Sequence, residues 1–338
     1  MDRQTILQNV AWKIWGILLV LTLFGISVRN AEAKSRQITY RLKWIENMST
    51  VGDLYAQQQG YFKTKGLAVT IKPGGPERDA IRELELGHTD FGVASADQVI
   101  RALAKGAPIV VVAQLFQINP LQWIYRQDRN TLGSLKDLKG KTIGVTFGKN
   151  DEMILRTLLA QAQLDEPAVR LYGVRLDYAP FYQGRVDFWP VYINTQGVEI
   201  GGRLRAAGET VGFLNPTDYG VRFVANSVVT SQKVLTQQPA MVKQFVQALL
   251  KGWHEAVDPA NNDTAIQVVQ AVDRDSTLAV LKQQLELTRK LIQPSPQTIV
   301  GAIDQKGWRQ TEKIMLDYHQ IAKPVNVMQS VKFMGQAR

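Results

Sequence analysis

The chain has 338 residues, of which 45% are hydrophobic and 21% charged, an ordinary globular composition whose length predicts about two domains. It contains no cysteine, which excludes thiol nucleophiles, disulfides, cysteine-ligated metals and a lipoprotein anchor. The three histidines, His88, His254 and His319, are isolated in sequence and lack the spacing of a metal hydrolase. The net charge of +10 comes from scattered Lys and Arg interleaved with acidic residues, which indicates a solvated surface rather than nucleic-acid binding.

The first 33 residues have the organisation of a secretory signal peptide. Arg3 and Lys13 supply positive charge, an apolar run of 15 residues covers 14–28, and the small-residue pattern Ala31-Glu32-Ala33 follows. Because a membrane-spanning helix needs ~20 apolar residues, we expect cleavage after Ala33 and no membrane insertion afterwards. The alternative is an uncleaved N-terminal anchor. Either case predicts a periplasmic or otherwise extracytoplasmic protein.

Strand and helix patterns alternate from residue 38 onward, which predicts an α/β fold. The predicted strands are 38–44, 67–72, 89–94, 109–115, 142–145, 169–174, 186–189 and 211–214. Helical patterns lie between them, and the tail from Ser231 is predicted to be mainly helical. The apolar run 109–115 favours a mostly parallel sheet that is covered by helices on both faces.

Two segments of the chain echo each other. Gly87–Phe91 reads GHTDF and Gly184–Phe188 reads GRVDF, so in both a helix is expected to end at Gly and a strand to begin with Asp-Phe. The echo predicts two similar lobes, each a mostly parallel sheet flanked by helices. It also predicts matching structural roles for Asp90 and Asp187.

Several motifs resemble those of the extracytoplasmic solute-binding proteins of bacterial ABC importers. They are Leu42–Trp44, Ala56–Phe62, Gly66–Val69, Leu84–Gly92, Gly184–Asn194 and Asn215–Gly220. The last two look like the branch that binds the thiamine-precursor pyrimidine, which is related to the sulfonate, nitrate and taurine binders. The resemblance implies a two-lobed, type II periplasmic-binding-protein-like fold, with ligand in the cleft and hinge closure on binding.

The same resemblance implies a domain organisation with two crossover strands, which we place near 122–126 and 219–224. A signal peptide would cover 1–33, the first part of lobe one 34–121, lobe two 122–221, and the mainly helical second part of lobe one 222–338.

The residue types suggest how such a cleft would hold a flat heteroaromatic ligand, which needs stacking surfaces and a few directed polar groups. Trp44, Trp189 and Tyr192 are candidates for stacking. The polar candidates are Asn47, Ser95, Gln114, Asn194, Asp218 and Tyr219, with Asp218 accepting from an exocyclic amine.

Each candidate also has a structural explanation. The tryptophans would belong to the core, Asp218 would cap a turn, and Asn194 would cap the next helix. The loops 73–76 and 146–152 are candidate anion sites, because the second precedes a helix and exposes backbone N–H groups.

These observations predict a non-catalytic binding protein without a metal or cofactor. It would act as a monomer that delivers a thiamine-precursor pyrimidine or analogue to an ABC permease and its ATPase subunits. Thr195 stands where pyrimidine binders often carry an acidic residue, so a riboflavin-type compound or a sulfonate- or nitrate-like anion stays open as the ligand. Related pyrimidine-making enzymes use a cysteine-rich motif, which this chain lacks. An extracytoplasmic enzyme on the same fold and a ligand-binding sensor domain also stay open as functions.

Overall fold

The computed structural model describes residues 35–335, so the predicted signal peptide lies outside the described residues. Within this range ten strands form two sheets of five. The first sheet has the order β2-β1-β3-β10-β4. Its strands are β1 (Arg36–Arg41), β2 (Leu67–Lys72), β3 (Phe91–Ala94), β4 (Ile109–Gln114) and β10 (Ser227–Ser231).

The second sheet has the order β7-β6-β8-β5-β9. Its strands are β5 (Leu121–Arg126), β6 (Thr142–Val145), β7 (Arg170–Gly173), β8 (Phe188–Tyr192) and β9 (Val211–Leu214). The two sheets and the helices packed on them form the two lobes, called lobe one and lobe two in chain order. The two-lobed α/β fold predicted from the sequence is thereby confirmed.

In each sheet one strand runs antiparallel to both of its neighbours. It is the first strand that the chain forms after crossing from the other sheet. In lobe one, β1 is parallel to β3, whereas β10 is antiparallel to both β3 and β4. In lobe two, β6 is parallel to β7 and β8, whereas β5 is antiparallel to β8 and β9. Both sheets are therefore mixed, with parallel pairing kept outside the reversed strand.

Twelve α-helices lie among the described residues. They are α1 (Val51–Gln58), α2 (Tyr61–Thr64), α3 (Ala80–Glu85), α4 (Ala96–Ala104), α5 (Asn150–Gln161), α6 (Ala179–Tyr182), α7 (Gln196–Ala206), α8 (Gln232–Gln237), α9 (Pro239–Ala256), α10 (Asn262–Gln270), α11 (Leu278–Ile292) and α12 (Gln305–Asp317). None of these helices is both long and apolar enough to cross a bilayer.

The chain changes sheet between Gln114 and Leu121 and returns between Leu214 and Ser227. The first predicted crossover segment is strand β5. The second predicted crossover, near 219–224, lies in the returning connection, but it is not a strand, because 220–226 has no regular structure and the returning strand is β10. We propose the lobe boundaries 34–121, 122–221 and 222–338, which the sheet membership of the strands supports.

The repeated Asp-Phe motif has the same role in both lobes. The Asp90 carboxylate accepts the backbone N–H of Thr39 at 2.8 Å, and the Asp187 carboxylate accepts that of Thr142 at 2.8 Å. Each aspartate also donates its own N–H to the carbonyl of the same threonine. The carboxylates therefore complete the parallel ladders β1–β3 and β6–β8 at equivalent positions, as the echo predicted.

Lobe one is held together by close packing of α9 on the sheet and on α1. The Phe245 ring stacks on Phe91 with centroids 3.8 Å apart. Gly52 allows the two helices to approach, because a Cβ there would lie 2.1 Å from the ring of Trp253. The core is continuous from β1 to α11. This rigid packing fixes the segment after β1, which leads into the cleft.

Candidate functional site

A cavity lies between the two sheets. Lobe one contributes residues of segment 42–53, lobe two contributes segments 146–151, 174–178 and 189–196, and the returning connection contributes Asn226. The space between the lining atoms is about 940 Å³, including the mouth that opens to solvent. A cavity between two lobes, lined by aromatic side chains and a few polar groups, is a usual setting for a small-molecule site.

Four of the predicted site residues meet in this cavity, namely Trp44, Asn47, Trp189 and Tyr192. Trp189 is only 1% exposed and packs edge-to-face on Tyr178, with ring centroids 6.1 Å apart. It is thus both a core residue of lobe two and part of the cavity wall. The Asn47 side chain accepts the N–H of Ser49 at 2.9 Å and so shapes the turn that enters α1.

Lys43 connects the two lobes across the cavity. Its Nζ donates to the hydroxyl of Tyr192 at 2.9 Å, and that hydroxyl donates to Oδ1 of Asn226 at 3.0 Å. Burial lowers the pKa of Lys43 to about 8, against the attraction of Asp97 and Asp151. Lys43 forms no direct ion pair within the described part of the chain, so its charge faces the cleft with a single, uncharged partner.

Two carboxylates line the same cavity. Burial raises the pKa of Asp53 to about 7, although its Oδ1 accepts the Tyr40 hydroxyl at 2.6 Å. The indole N–H of Trp253 lies near Asp53 without a hydrogen bond of good geometry. Burial likewise raises the pKa of Asp151 to about 6, against the backbone N–H of Thr146 that it accepts at 2.6 Å. Both carboxylates are therefore poised to change charge near neutral pH.

Two cavity-lining side chains carry buried donors without an acceptor. Neither Nε1 of Trp44 nor Nδ2 of Asn150 has a hydrogen-bond partner among the described residues. Buried polar groups are normally paired, and an unpaired one costs free energy. Both donors are shielded from solvent in the closed arrangement, so they destabilise it as long as they stay unpaired.

The lobes also touch outside the cavity. Nδ2 of Asn194, which follows β8 of lobe two, donates to Oγ of Ser49 at 3.2 Å and to Oγ1 of Thr288 at 2.8 Å. Nη2 of Arg101 donates to the carbonyl of Gly148 at 3.0 Å. The structure thus has the lobes closed over the cavity.

Five predicted ligand-binding residues lie elsewhere. Oγ of Ser95 donates to Gln98 at 2.9 Å in the capping box of α4, and Oε1 of Gln114 accepts the indole N–H of Trp308 at 3.1 Å. Asn194 bridges the lobes as described, and caps no helix. The side chains of Ser95 and Gln114 are satisfied by the protein itself, whereas Oδ1 of Asn194 is buried without a hydrogen-bond partner among the described residues.

Asp218 and Tyr219 belong to a short 3-10 helix at the start of the returning connection. Asp218 is exposed and accepts from Nδ2 of Asn215 at 3.1 Å, and the Tyr219 carbonyl accepts from Gln161. Neither lines the cavity. The position of Asp218 therefore does not support the predicted hydrogen bond to an exocyclic amine of the ligand. A role in stabilising the turn fits its position instead.

The predicted anion site in the loop before α5 is already filled by the chain's own carboxylates. The N–H of Thr146 is accepted by Asp151, and the N–H of Gly148 is accepted by Glu152 at 2.6 Å. Acidic side chains at a helix N-terminus take the place that an anionic ligand would occupy.

The sequence reasoning missed Lys43, Asp53, Asn150 and Asp151, all of which line the cavity. Lys43 and Trp44 follow β1, and Asn150 and Asp151 begin α5 after β6, so each set lies at the carboxyl end of a strand. Open α/β sheets bind ligands at the carboxyl ends of their strands. The location of these residues just after predicted strands was therefore the sequence signal that could have identified them. No cluster of three potential metal ligands occurs among residues 35–335.

The chain forms two α/β lobes, crosses from one to the other twice, and has a cavity between them. This arrangement defines a periplasmic-binding-protein-like protein. A family model described as NMT1/THI5 like matches residues 47–262, and the chain belongs to this family. The alkanesulfonate-binding protein SsuA of Xanthomonas axonopodis pv. citri, solved with MOPS, shares the fold with a TM-score of 0.67. It is 18% identical, and the match covers 88% of this chain and 99% of that chain.

Named relatives include binding proteins and enzymes. Riboflavin-binding protein RibY of Chloroflexus aurantiacus is 25% identical over 89% of this chain and 86% of its own length. The formylaminopyrimidine-binding protein of Halalkalibacterium halodurans is 24% identical over 93% and 96%. The 4-amino-5-hydroxymethyl-2-methylpyrimidine phosphate synthase THI13 of Saccharomyces cerevisiae is 31% identical over 69% and 75%.

Proposed function

We propose that the chain is an extracytoplasmic solute-binding protein of an ABC importer that captures a small heteroaromatic nutrient between its lobes. The ligand class is a thiamine-precursor pyrimidine or a related ring compound. The protein would present its closed form, as a monomer, to a permease and its ATPase subunits. Binding would shift the lobes toward closure because the ligand contacts both of them.

The observation that carries this proposal is the aromatic lining of one interlobe cavity. Trp44 from lobe one and Trp189, Tyr178 and Tyr192 from lobe two line it together. Aromatic faces on opposite lobes suit a planar ring, which stacks on them once the cleft closes. The names of the two binding-protein relatives, one for riboflavin and one for formylaminopyrimidine, agree with a ring-shaped ligand.

A binding role is better supported than catalysis. Relatives named as pyrimidine synthases share the family, but the cysteine-rich motif of such enzymes has no counterpart in a chain without cysteine. The cavity lining also contains no histidine. Recovery of unchanged ligand after incubation, checked by mass spectrometry, supports binding, whereas a new product would contradict it.

The decisive experiment is a thermal-shift screen of pyrimidines, flavins, sulfonates and nitrate, followed by calorimetry. A ring compound that binds the folded state should raise the melting temperature by mass action. If only the sulfonates or nitrate stabilise the protein, the proposed ligand class is wrong.

The half-buried Trp44 provides the mutational test of this site, since Trp189 is too deep in the core. Trp44→Ala should weaken binding of the ring compound at least about fivefold, the equivalent of ~1 kcal/mol of lost stacking. Tyr318→Ala, which lies outside the cavity at the end of α12, is the matched control. Equal affinities in the two variants would contradict a stacking role.

A further inference from the structure

We infer that helix α12 holds the lobe-one ends of both connections between the lobes, through Gln114, Trp308 and Thr311, which we call the clasp. The connections are 115–120, which leads into lobe two, and 215–226, which leads back. The clasp residues do not line the cavity, and they act by positioning the lobes. This inference rests on the proposed function, because it assumes that the lobes open and close around a ligand.

The first connection is bonded to α12 through Gln114, the last residue of β4. Oε1 of Gln114 accepts the indole N–H of Trp308 at 3.1 Å and the backbone N–H of Asp304, the N-cap of α12, at 3.0 Å. Its Nε2 donates to the carbonyl of Phe116, inside the connection, at 3.2 Å. Gln114 and Trp308 are both buried. One side chain therefore joins the start of the connection to the first turn of α12.

The returning connection is bonded to the same helix one turn further along. The backbone N–H of Val224 donates to Oγ1 of Thr311 at 3.1 Å, and this hydroxyl donates to the carbonyl of Gly307 at 2.9 Å. Because 220–226 lies outside the strands, the hydroxyl takes the place of a ladder partner for this buried N–H. Loss of the hydroxyl would leave the N–H unpaired in the present arrangement.

Apolar packing supports these hydrogen bonds. Trp308 and Met315 of α12 belong to the same buried cluster as Val221 and Phe223 of the returning connection. On its other side α12 packs against α4 of lobe one. The helix is therefore part of lobe one and moves with it.

The two connections are also bonded to each other. Nδ2 of Asn119 donates to the carbonyl of Phe223 at 3.1 Å. The clasp thus fixes one end of two linked segments, and the other end of each belongs to lobe two. Lobe movement is then confined to the parts between the clasp and lobe two, 115–120 and 215–223.

A weakened clasp should lower the population of the closed arrangement. A connection that is no longer held can adopt more conformations, whereas closure requires one. A ligand that binds only the closed arrangement is then bound more weakly in proportion to the remaining closed fraction. The loss is the same factor for every ligand, whereas a change in the cavity lining affects different ligands differently.

Two matched pairs of variants separate the clasp from general stability. Thr311→Val and Thr157→Val each remove a buried hydroxyl that donates to the carbonyl four residues earlier, but only Thr311 also accepts from a connection. Trp308→Phe and Trp123→Phe each remove a buried indole N–H, and that of Trp123 donates within lobe two, to the carbonyl of Gly144 at 2.9 Å. Thr157→Val and Trp123→Phe are therefore the controls.

Pulsed electron paramagnetic resonance measures the separation of the lobes in the ligand-free protein. Spin labels at Glu77→Cys in lobe one and Leu176→Cys in lobe two are specific, because the chain has no cysteine of its own. Both positions are exposed, and Arg175 of the cavity lining lies 3.7 Å from Glu77, so the labels face each other beside the cavity. We expect Thr311→Val and Trp308→Phe to broaden the distance distribution toward longer distances, and the controls to leave it unchanged. Distributions that do not separate the clasp variants from the controls would overturn the inference.

Calorimetry with riboflavin and 4-amino-5-hydroxymethyl-2-methylpyrimidine relates this movement to binding. Each compound that binds the unmodified protein should bind both clasp variants at least about threefold more weakly, as for one lost hydrogen bond, and by the same factor. Unchanged affinities in both clasp variants would contradict the positioning role. If neither compound binds the unmodified protein, the proposed ligand class fails, whereas the label distances still decide the role of α12.

Discussion

The buried carboxyl group of Asp53 should make the stability of the protein depend on pH. Its pKa is about 7 in the folded chain, compared with 3.8 for an unperturbed aspartate, because burial disfavours the carboxylate. The folded state therefore holds a proton that the unfolded state releases between these pH values. The unfolding free energy should fall as the pH rises from about 4 to 7.

The magnitude follows from the size of the shift. A difference of about three pKa units, at about 1.36 kcal/mol each, corresponds to on the order of 4 kcal/mol between the two ends of the range. Asp53→Asn retains an oxygen that accepts from Tyr40 but cannot ionise. The variant should match the unmodified protein in stability near pH 4 and exceed it at pH 7 and above.

Urea denaturation at several pH values between 4 and 8, without ligand, measures this difference directly. The relevant quantity is the unfolding free energy of Asp53→Asn minus that of the unmodified protein. Asp165→Asn, an exposed position, serves as the control and should not reproduce the trend. A difference that stays constant with pH, or that falls as pH rises, would refute the reasoning about burial.

Three further predictions test packing, the repeated motif and closure. Gly52→Ala should destabilise lobe one by about 1–3 kcal/mol or more, since its Cβ would overlap the Trp253 ring, and an unchanged denaturation midpoint would contradict that packing. Asp90→Ala and Asp187→Ala should each cost about 1–3 kcal/mol of unfolding free energy, and a loss confined to one of them would contradict their equivalence. Asn194→Ala should weaken ligand binding in calorimetry at least about fivefold with little change in ligand selectivity, because it removes contacts made only when the lobes are closed. Unaltered affinity would show that these contacts are not needed.

The sequence predicted much of the strand layout because local signals agreed with it. The strands Leu67–Lys72, Thr142–Val145 and Val211–Leu214 have the predicted bounds, and turn-forming residues separate them from the neighbouring helices. Strand β10 was missed because SVVTS has only two apolar residues. Its Ser227 and Thr230 are nonetheless fully buried, since the sheet continues on both sides of this central strand.

The site was harder to predict because it depends on partners distant in sequence. A lysine beside Trp44 is expected to face solvent, and only the approach of Tyr192 from the other lobe buries Lys43. Gln114 was expected in the cleft, but Trp308, 194 residues further along the chain, takes its side-chain oxygen. The sequence shows which side chains are polar. Only the tertiary fold determines which of them have donors or acceptors that are not used by the protein.

The position of β10 has a consequence for the order of folding. All five strands of the second sheet come from the continuous stretch 121–214, so that sheet can form from neighbouring parts of the chain. In the first sheet, the place between β3 and β4 belongs to β10, residues 227–231, which follow the whole second sheet in sequence. The first sheet is therefore incomplete until that strand is added. Pairings over such long separations are slow to establish. We expect the second sheet to fold first and the two flanking parts of the chain to form the first sheet afterwards. The ligand-binding cleft would then be completed only in the last step of folding.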